Sequence, residues 1–381
     1  MEPVTHILTG ACLARAGCNR RAAYATLTMA IAADFPDIDT LWSLRGPIAG
    51  FQHHRGITHT LVGVPVEAAV IVAGIYALHQ VRVRRAASHT EPLRKPLTQA
   101  PVRWGLLYVF ALAALLSHLL LDYTNNYGLR PFFPFNPHWY AGSFVFIFDP
   151  LIFLLLLIAF VMPPLFALIN SEVGGRRQPF RGGGWAKTAL VCILAVWCLR
   201  WVEHGRAVQL AGTQSLAITR ADAPPQFLQP ARVLANPDPF SPFRWHIVSD
   251  FGDFYQLGEA DLLSGQLTPA QDIHAKPEPS AALSAAEASA LGRVYMDWSP
   301  MPFITVSPPG DPARPPDDSD EPASPANTLV IFRDPRFMID VPLLRSRPNP
   351  PLTGTVELDA QGHIVRQTMD GKVDGKIDHR D

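Results

Sequence analysis

Trp104 to Asp122 reads WGLLYVFALAALLSHLLLD, eighteen residues without a charge followed by an aspartate. At 1.5 Å per residue such a helix covers about 27 Å, close to the roughly 30 Å hydrocarbon core of a bilayer. The run therefore predicts a transmembrane helix. Its ionisable groups, His118 and Asp122, are spaced i and i+4 and so lie one above the other on a single face. Ile57 to Leu78 with one Glu, Phe144 to Ile169, and Trp185 to Val202 meet the same length criterion. Asp149-Pro150 and Pro163-Pro164 predict a kinked or tilted path for the run from 144 to 169. Val4 to Ala16 and Ala22 to Asp34 are too short to cross, and a Gly17-Cys18-Asn19 turn separates them. They predict a short helical hairpin dipping part-way into the membrane. Met1-Glu2 lacks the basic start of a signal peptide, so none is expected.

Around these spans the chain divides in two. Of 32 Lys and Arg and 33 Asp and Glu, the stretch up to Val202 holds 17 basic and 9 acidic residues, and the remainder 15 and 24. A nucleic-acid binder reading the whole chain by one basic face is excluded. The basic residues alternate from side to side. Arg15, Arg20, Arg21, the six in 79–103 and the four in 170–187 make thirteen on one side, against Arg45, Arg55 and Arg130 on the other. The positive-inside rule then puts the larger set in the cytoplasm, and the end of the bundle near Asp122, with everything after Glu203, outside it. Four cysteines (Cys12, Cys18, Cys192, Cys198) lie in apolar stretches at spacings that fit neither a zinc ribbon nor a redox pair, and no disulfide framework is expected.

Beyond Arg206 the long apolar runs stop. Phe243–Val248, Arg293–Trp298 and Thr328–Phe332 alternate like strands, and Thr355–Leu358 with Ile364–Thr368 reads as a hairpin. The expected architecture is an all-α polytopic membrane bundle over 1–206, followed by a small antiparallel β domain over 207–381. Residues 307–327, rich in Pro, Asp and Ser with almost nothing to bury, predict a disordered or extended loop within it.

Chemistry is concentrated in the first half. The topology delivers His6, the Asp34-x-Pro-Asp37-x-Asp39 cluster, His53, His54 and His59, His118 with Asp122, and Asp149 to one end of the bundle. Clustered carboxylates repel one another unless a cation or proton intervenes. Mixed His and Asp donors without thiolates suit zinc, manganese or iron and do not resemble a calcium loop. His118 and Asp122 can bind one ion together, or the carboxylate can orient the imidazole. His54 and His59 are five apart and cannot share a helical face, so His54 is expected from a loop bent at Gly56 and His59 from the first turn of a span. Each has a plainer reading too: an interhelical hydrogen bond for His118 or His6, a helix cap for Asp39 or Asp149, and a carboxylate partner for Arg55.

Thr5-His6, Asp34-x-Pro-Asp37-x-Asp39, His54-Arg55-Gly56-x-Thr58-His59 and Ser117-His118-x3-Asp122 together resemble the signature of the YdjM-like predicted membrane-bound metal-dependent hydrolases over about residues 1–170. That family is grouped distantly with zinc-dependent phospholipase C and single-strand-specific nucleases. The resemblance implies that His54, His59, His118 and Asp122 bind metal, with Asp34 or Asp37 bridging or completing the set. The soluble relatives add an N-terminal amino group and a second His-x3-Glu helix. Neither pattern is found here, Gly63 standing four residues after His59, so two ions are expected rather than three.

The expected function is a multi-pass inner-membrane hydrolase acting on a phosphoester or lipid-linked small molecule outside the cytoplasm. Asp37 would take a proton from metal-activated water and Arg55 would face developing negative charge. A metal-ion transporter and a non-catalytic receptor or scaffold are the alternatives. The transporter predicts polar residues continuing to the cytoplasmic side, and the spans supply few besides Glu67.

Overall fold

The computed structural model describes residues 1–88, 99–172, 182–220, 223–316, 319, 321–339 and 349–374. Arg94, Lys95, Arg176, Arg177 and Arg181, used above for orientation, fall outside these. The chain forms two compact units. One comprises Met1–Asp39, Arg55–Val202 and Pro239–Pro242, and the other Thr40–His54, Glu203–Asp238 and Phe243–Asp381.

The first unit is helical. Its helices are α1 (Pro3–Arg15), α2 (Ala25–Ala32), α4 (Gly63–Ala87), α5 (Trp104–Thr124), α6 (Pro150–Glu172) and α7 (Gly183–Gly212) as far as Val202; the rest of α7, from Glu203, and α3 (Pro47–His53) belong to the second unit. Among the described residues, α4, α5, α6 and α7 are long and apolar enough to cross a membrane. The hairpin is present as α1 and α2, which pack against each other. Gly10 allows their close approach, because a Cβ there would strike the Met29 carbonyl oxygen and the Ala33 side chain. Ala14, Ala25, Ala32, Ala68, Ala111 and Ala114 belong to the same core and are almost wholly buried. Small residues are what membrane helices use to pack, since lipid supplies little hydrophobic drive between them.

The buried face of α5 runs through Leu107, Ala111, Ala114, Leu115, His118 and Asp122, while Val109, Leu116 and Leu120 on its other side are exposed. Polar and apolar groups thus share one inward stripe, and the stripe ends in the His/Asp pair. The first span begins later than its composition suggests. Ile57–His59 forms a separate 3-10 turn and α4 starts at Gly63, whose N–H donates to Thr60 Oγ1 at 2.9 Å. His59 therefore precedes the span instead of opening it. Likewise 144–149 is not helical, and α6 starts at Pro150, where proline's missing N–H costs nothing. Asp149 caps this start, its Oδ1 accepting from Leu151 N at 2.9 Å and Ile152 N at 3.0 Å.

The second unit is mostly β. β1 (Leu216–Arg220) and β2 (Ala223–Leu228) pair, and β3 (Arg232–Pro237), β4 (Arg244–Asp250), β5 (Phe254–Asp261) and β6 (Gln266–Ala275) form an antiparallel meander. The helices α8 (Ala281–Glu287) and α9 (Ala290–Trp298) lead into β7 (Phe303–Ser307), β8 (Thr328–Arg333), β9 (Gly354–Leu358), β10 (Ile364–Met369) and β11 (Lys372–Val373), a second antiparallel sheet. The expected hairpin is β9–β10. Arg293–Trp298, expected as a strand, belongs to helix α9. Ser289 caps it by accepting from Gly292 N, and Leu291, Tyr295 and Trp298 recur at helical spacing and are buried. A polar/apolar alternation over six residues was outweighed by that longer periodicity and its cap. The Tyr295 ring lies 5.5 Å from Phe332, and Phe51 of α3 lies 5.1 Å from Trp298. In the Pro-rich loop, Ser324 N and Asn327 Nδ2 each donate to Glu357 Oε1 at 2.8 Å; Asp317, Asp318 and Asp320 lie outside the described residues.

Candidate metal centre

Three chain segments of the first unit supply the site: the turn after α2, the 3-10 turn before α4, and the last turns of α5. The Phe35–Arg45 3-10 stretch presents Asp37 and Asp39. Arg55 then adopts the left-handed conformation, at φ 54°. This bend falls on the arginine and not on Gly56. A non-glycine residue held there carries strain that its surroundings must offset. Here the Arg55 N–H donates to Asp39 Oδ2 at 2.7 Å.

Four ligand atoms, from Asp37, His59, His118 and Asp122, all lie within 4.8 Å of one another. His59 Nε2 is 3.0 Å from His118 Nε2, 3.3 Å from Asp37 Oδ1 and 3.4 Å from Asp122 Oδ2. His118 Nε2 is 3.7 Å from Asp37 Oδ1 and 3.4 Å from Asp122 Oδ2. A tetrahedral ion with bonds of about 2.1 Å has edges of about 3.4 Å, so these separations match the edges of such a shell.

The outer nitrogens of both rings are already spoken for. His118 Nδ1 lies 2.7 Å from the Ala33 carbonyl oxygen, an acceptor only, so that nitrogen carries the proton. His59 Nδ1 lies 3.2 Å from Asp39 Oδ2 and 3.1 Å from Thr58 Oγ1. Both Nε2 lone pairs consequently converge on one another, an arrangement that is repulsive without a cation and usual around one. Asp122 Oδ2 is buried and without a hydrogen-bond partner. This donor set fits a divalent metal of the zinc, manganese or iron kind.

Electrostatics agree. Burial disfavours a charged His59, but its contacts with Asp122, Asp37 and Asp39 outweigh that and raise its pKa to about 10. Burial likewise pushes Asp37 up, yet the His59 hydrogen bond and the nearby His118 pull it down to about 2. The carboxylates thus demand a positive charge in their midst, and with no ion bound a proton on His59 supplies it.

The other expected residues distribute as follows. His6 stacks on His118 with ring centroids 3.9 Å apart, and its Nε2 is 3.4 Å from Asp122 Oδ1. Asp34 is half-buried beside the group, its Oδ1 lacks a hydrogen-bond partner, and burial together with Asp37 and Glu2 raises it to about 6. Arg55 is buried; its guanidinium reaches Asp122 Oδ1 at 2.9 Å, Asn125 Oδ1 at 3.2 Å and the Gly128 carbonyl at 2.7 Å. Its charge is therefore engaged in holding Asp122. His54 ends α3 in the second unit and is not among the four converging donors. His53 stacks on Trp42 at 4.1 Å, and Asp149 pairs with Arg200 at 2.9 Å. Asn125, which shares the Arg55 anchor, was not assigned from sequence, and the amino nitrogen of Met1, expected to play no part, instead lies against Asp122 and 2.9 Å from His6 Nε2. The Asp122-x-x-Asn125 spacing was a local signal for the first. The second depends on where the tertiary fold carries the chain end.

Because Asp39 fixes the His59 ring, Asp39→Asn is expected to weaken divalent-metal affinity about 10- to 100-fold while the four donors remain. Competition against a chelating dye measures this, and an unchanged affinity would remove Asp39 from the centre.

A helical membrane bundle with a buried His/Asp donor group defines an integral membrane protein with a candidate metal centre. The chain belongs to the YdjM inner membrane protein family, whose sequence profile matches residues 1–207. It is also 26% identical over 162 residues to the uncharacterized protein YfhP of Bacillus subtilis (strain 168). That stretch covers 40% of this chain and 43% of the relative, so the likeness spans less than half of either. No solved structure matches.

Proposed function

We propose that the protein is a membrane-bound, metal-dependent hydrolase whose centre is held by Asp37, His59, His118 and Asp122. The observation that carries this reading is the convergence of two oriented Nε2 atoms and two carboxylates at the edge lengths of a metal shell. A divalent ion bound there would lower the pKa of water and stabilise charge on a phosphoryl or carbonyl oxygen. Asp39 and the Ala33 carbonyl orient the imidazoles, and Arg55 with Asn125 orients Asp122. Asp37 sits among the donors, which leaves Asp34, with its raised pKa and unpartnered oxygen, as the carboxylate better suited to accept a proton. Asp122 turns Oδ2 toward His59 and His118, while its Oδ1 meets Arg55 and the Met1 amino nitrogen, so the four donors would hold one ion rather than the two expected from sequence, zinc being the first choice. The count of basic residues supports a centre on the extracytoplasmic side, near headgroup depth, where a phosphoester or lipid-linked substrate is in reach.

The test is hydrolysis of phosphomonoester, phosphodiester and carboxylic-ester probes by the detergent-solubilised full chain, with zinc or manganese added and after chelation. Activity on one ester class should require metal, and Asp34→Asn should lower it by roughly 100-fold with metal content intact. A chain that holds metal yet cleaves none of the three would contradict the hydrolase reading.

A further inference from the structure

Helix α4 is short in apolar length for a bilayer. From Gly63 to Leu78, before His79 and Gln80, its sixteen residues cover about 24 Å of a hydrocarbon core roughly 30 Å thick. Arg84 and Arg85 in its last turn hold the far end at the water, so the shortfall falls at its head, beside the metal centre. Val62, Val66 and Val70 recur every four residues and all are exposed, as is Leu61. The lipid-facing stripe therefore runs on past the first turn of the helix.

The loop after α5 meets this head, because the Leu61 N–H donates to the Pro131 carbonyl at 2.9 Å. It reads Pro131-Phe132-Phe133-Pro134-Phe135-Asn136-Pro137, and from Pro131 to Phe148 there is no Asp, Glu, Lys or Arg but eight aromatic residues. Phe135 is 84% exposed and Phe132 46%. Exposed apolar groups gathered in this way mark an interaction surface. The loop is also fit to leave water. Its three prolines carry no N–H, and the N–H groups of Phe133, Phe135 and Asn136 donate to the carbonyls of Arg130 and Phe132 at 3.0 to 3.2 Å. Few backbone donors are thus left to lose hydration. Behind it the Arg130 guanidinium lies 4.5 Å from the Trp139 ring centroid, and the Tyr140 ring 5.5 Å from that of Phe132. Trp, Tyr and a long cationic side chain are what headgroup level favours.

We propose that residues 131–135, with Leu61 and Val62, are seated in the glycerol and upper acyl layer of the leaflet at the metal-centre end of the bundle. Lipid is the occupant because the patch prolongs a stripe that α4 already presents to it, at the height that the span leaves unfilled. His59 is two residues before Leu61, at most about 7 Å of chain, so this seat brings the candidate ligands level with the lipid headgroups. The seating does not depend on any chemistry at the centre.

The experiment places a nitroxide at Phe135→Cys in the full chain, with Cys12, Cys18, Cys192 and Cys198 replaced by alanine, in phosphatidylcholine vesicles. Power saturation compares collisions with oxygen, which concentrates among acyl chains, and with a water-soluble nickel chelate. Oxygen should lead several-fold at 135, as at Val109→Cys on the exposed face of α5, and the chelate should lead at Gln361→Cys in the exposed β9–β10 turn. Phe135→Trp in the native chain gives a second route if the cysteine-free chain fails to fold. Brominated phosphatidylcholine should quench the added fluorescence and acrylamide should not, and the reverse would overturn the seating. A chelate-led signal at 135 would mean that the loop stands in water, and few collisions with either that protein covers it; each result would overturn the assignment.

Discussion

Alanine in place of His118 should strip the divalent metal from purified protein, lowering affinity by more than about 100-fold, the upper range for merely losing a residue that orients a ligand. His118 supplies one of two Nε2 atoms, and its Nδ1 is tied to the Ala33 carbonyl at 2.7 Å. Neither neighbouring carboxylate can replace it, because both already complete the set. His59→Ala should behave in the same way, whereas His54→Ala should retain metal. Elemental analysis of the three variants beside wild type measures this. Retention of metal by the His118 and His59 variants, with loss from the His54 variant, would mean that the ion sits elsewhere.

Arg200→Met should destabilise the bundle by about 3–5 kcal/mol. Arg200 and Asp149 are both almost fully buried and pair at 2.9 Å across α7 and the start of α6. With the cation gone, Asp149 keeps the two N–H donors of its own helix start and loses its buried partner. Because the cost comes from the stranded carboxylate, Asp149→Asn with Arg200→Met should recover part of it. Unfolding of the detergent-solubilised chain gives the values. A loss below about 1 kcal/mol, typical of an exposed pair, would show that water reaches the site.

Much of the site was readable because its residues obey short-range rules. His118 and Asp122 are one helical turn apart on an apolar span, and Asp34 to Asp39 pack three carboxylates around a proline. Even the partnership of Arg55 with a carboxylate was available as the plainer alternative. His54, paired in sequence with His59, was different. Both stand in one motif, yet the left-handed Arg55 separates them and His54 closes α3 in the other unit. A spacing of five in sequence says nothing about where a backbone reverses.

The same contrast separates the two halves of the fold. Uninterrupted apolar length fixed the four spans, because in lipid every backbone polar group must be paired within its own helix, and composition alone announces that requirement. Strand and helix in the tail were less legible: Arg293–Trp298 alternates like a strand and folds as α9, since its three large buried side chains acquire their meaning from the sheet they cover. The sequence by itself determined which residue types could grip an ion and at which end of the bundle they would gather. Tertiary structure alone decided which nitrogens face inward and that Arg55 is committed to Asp122, because each depends on contacts between segments far apart along the chain.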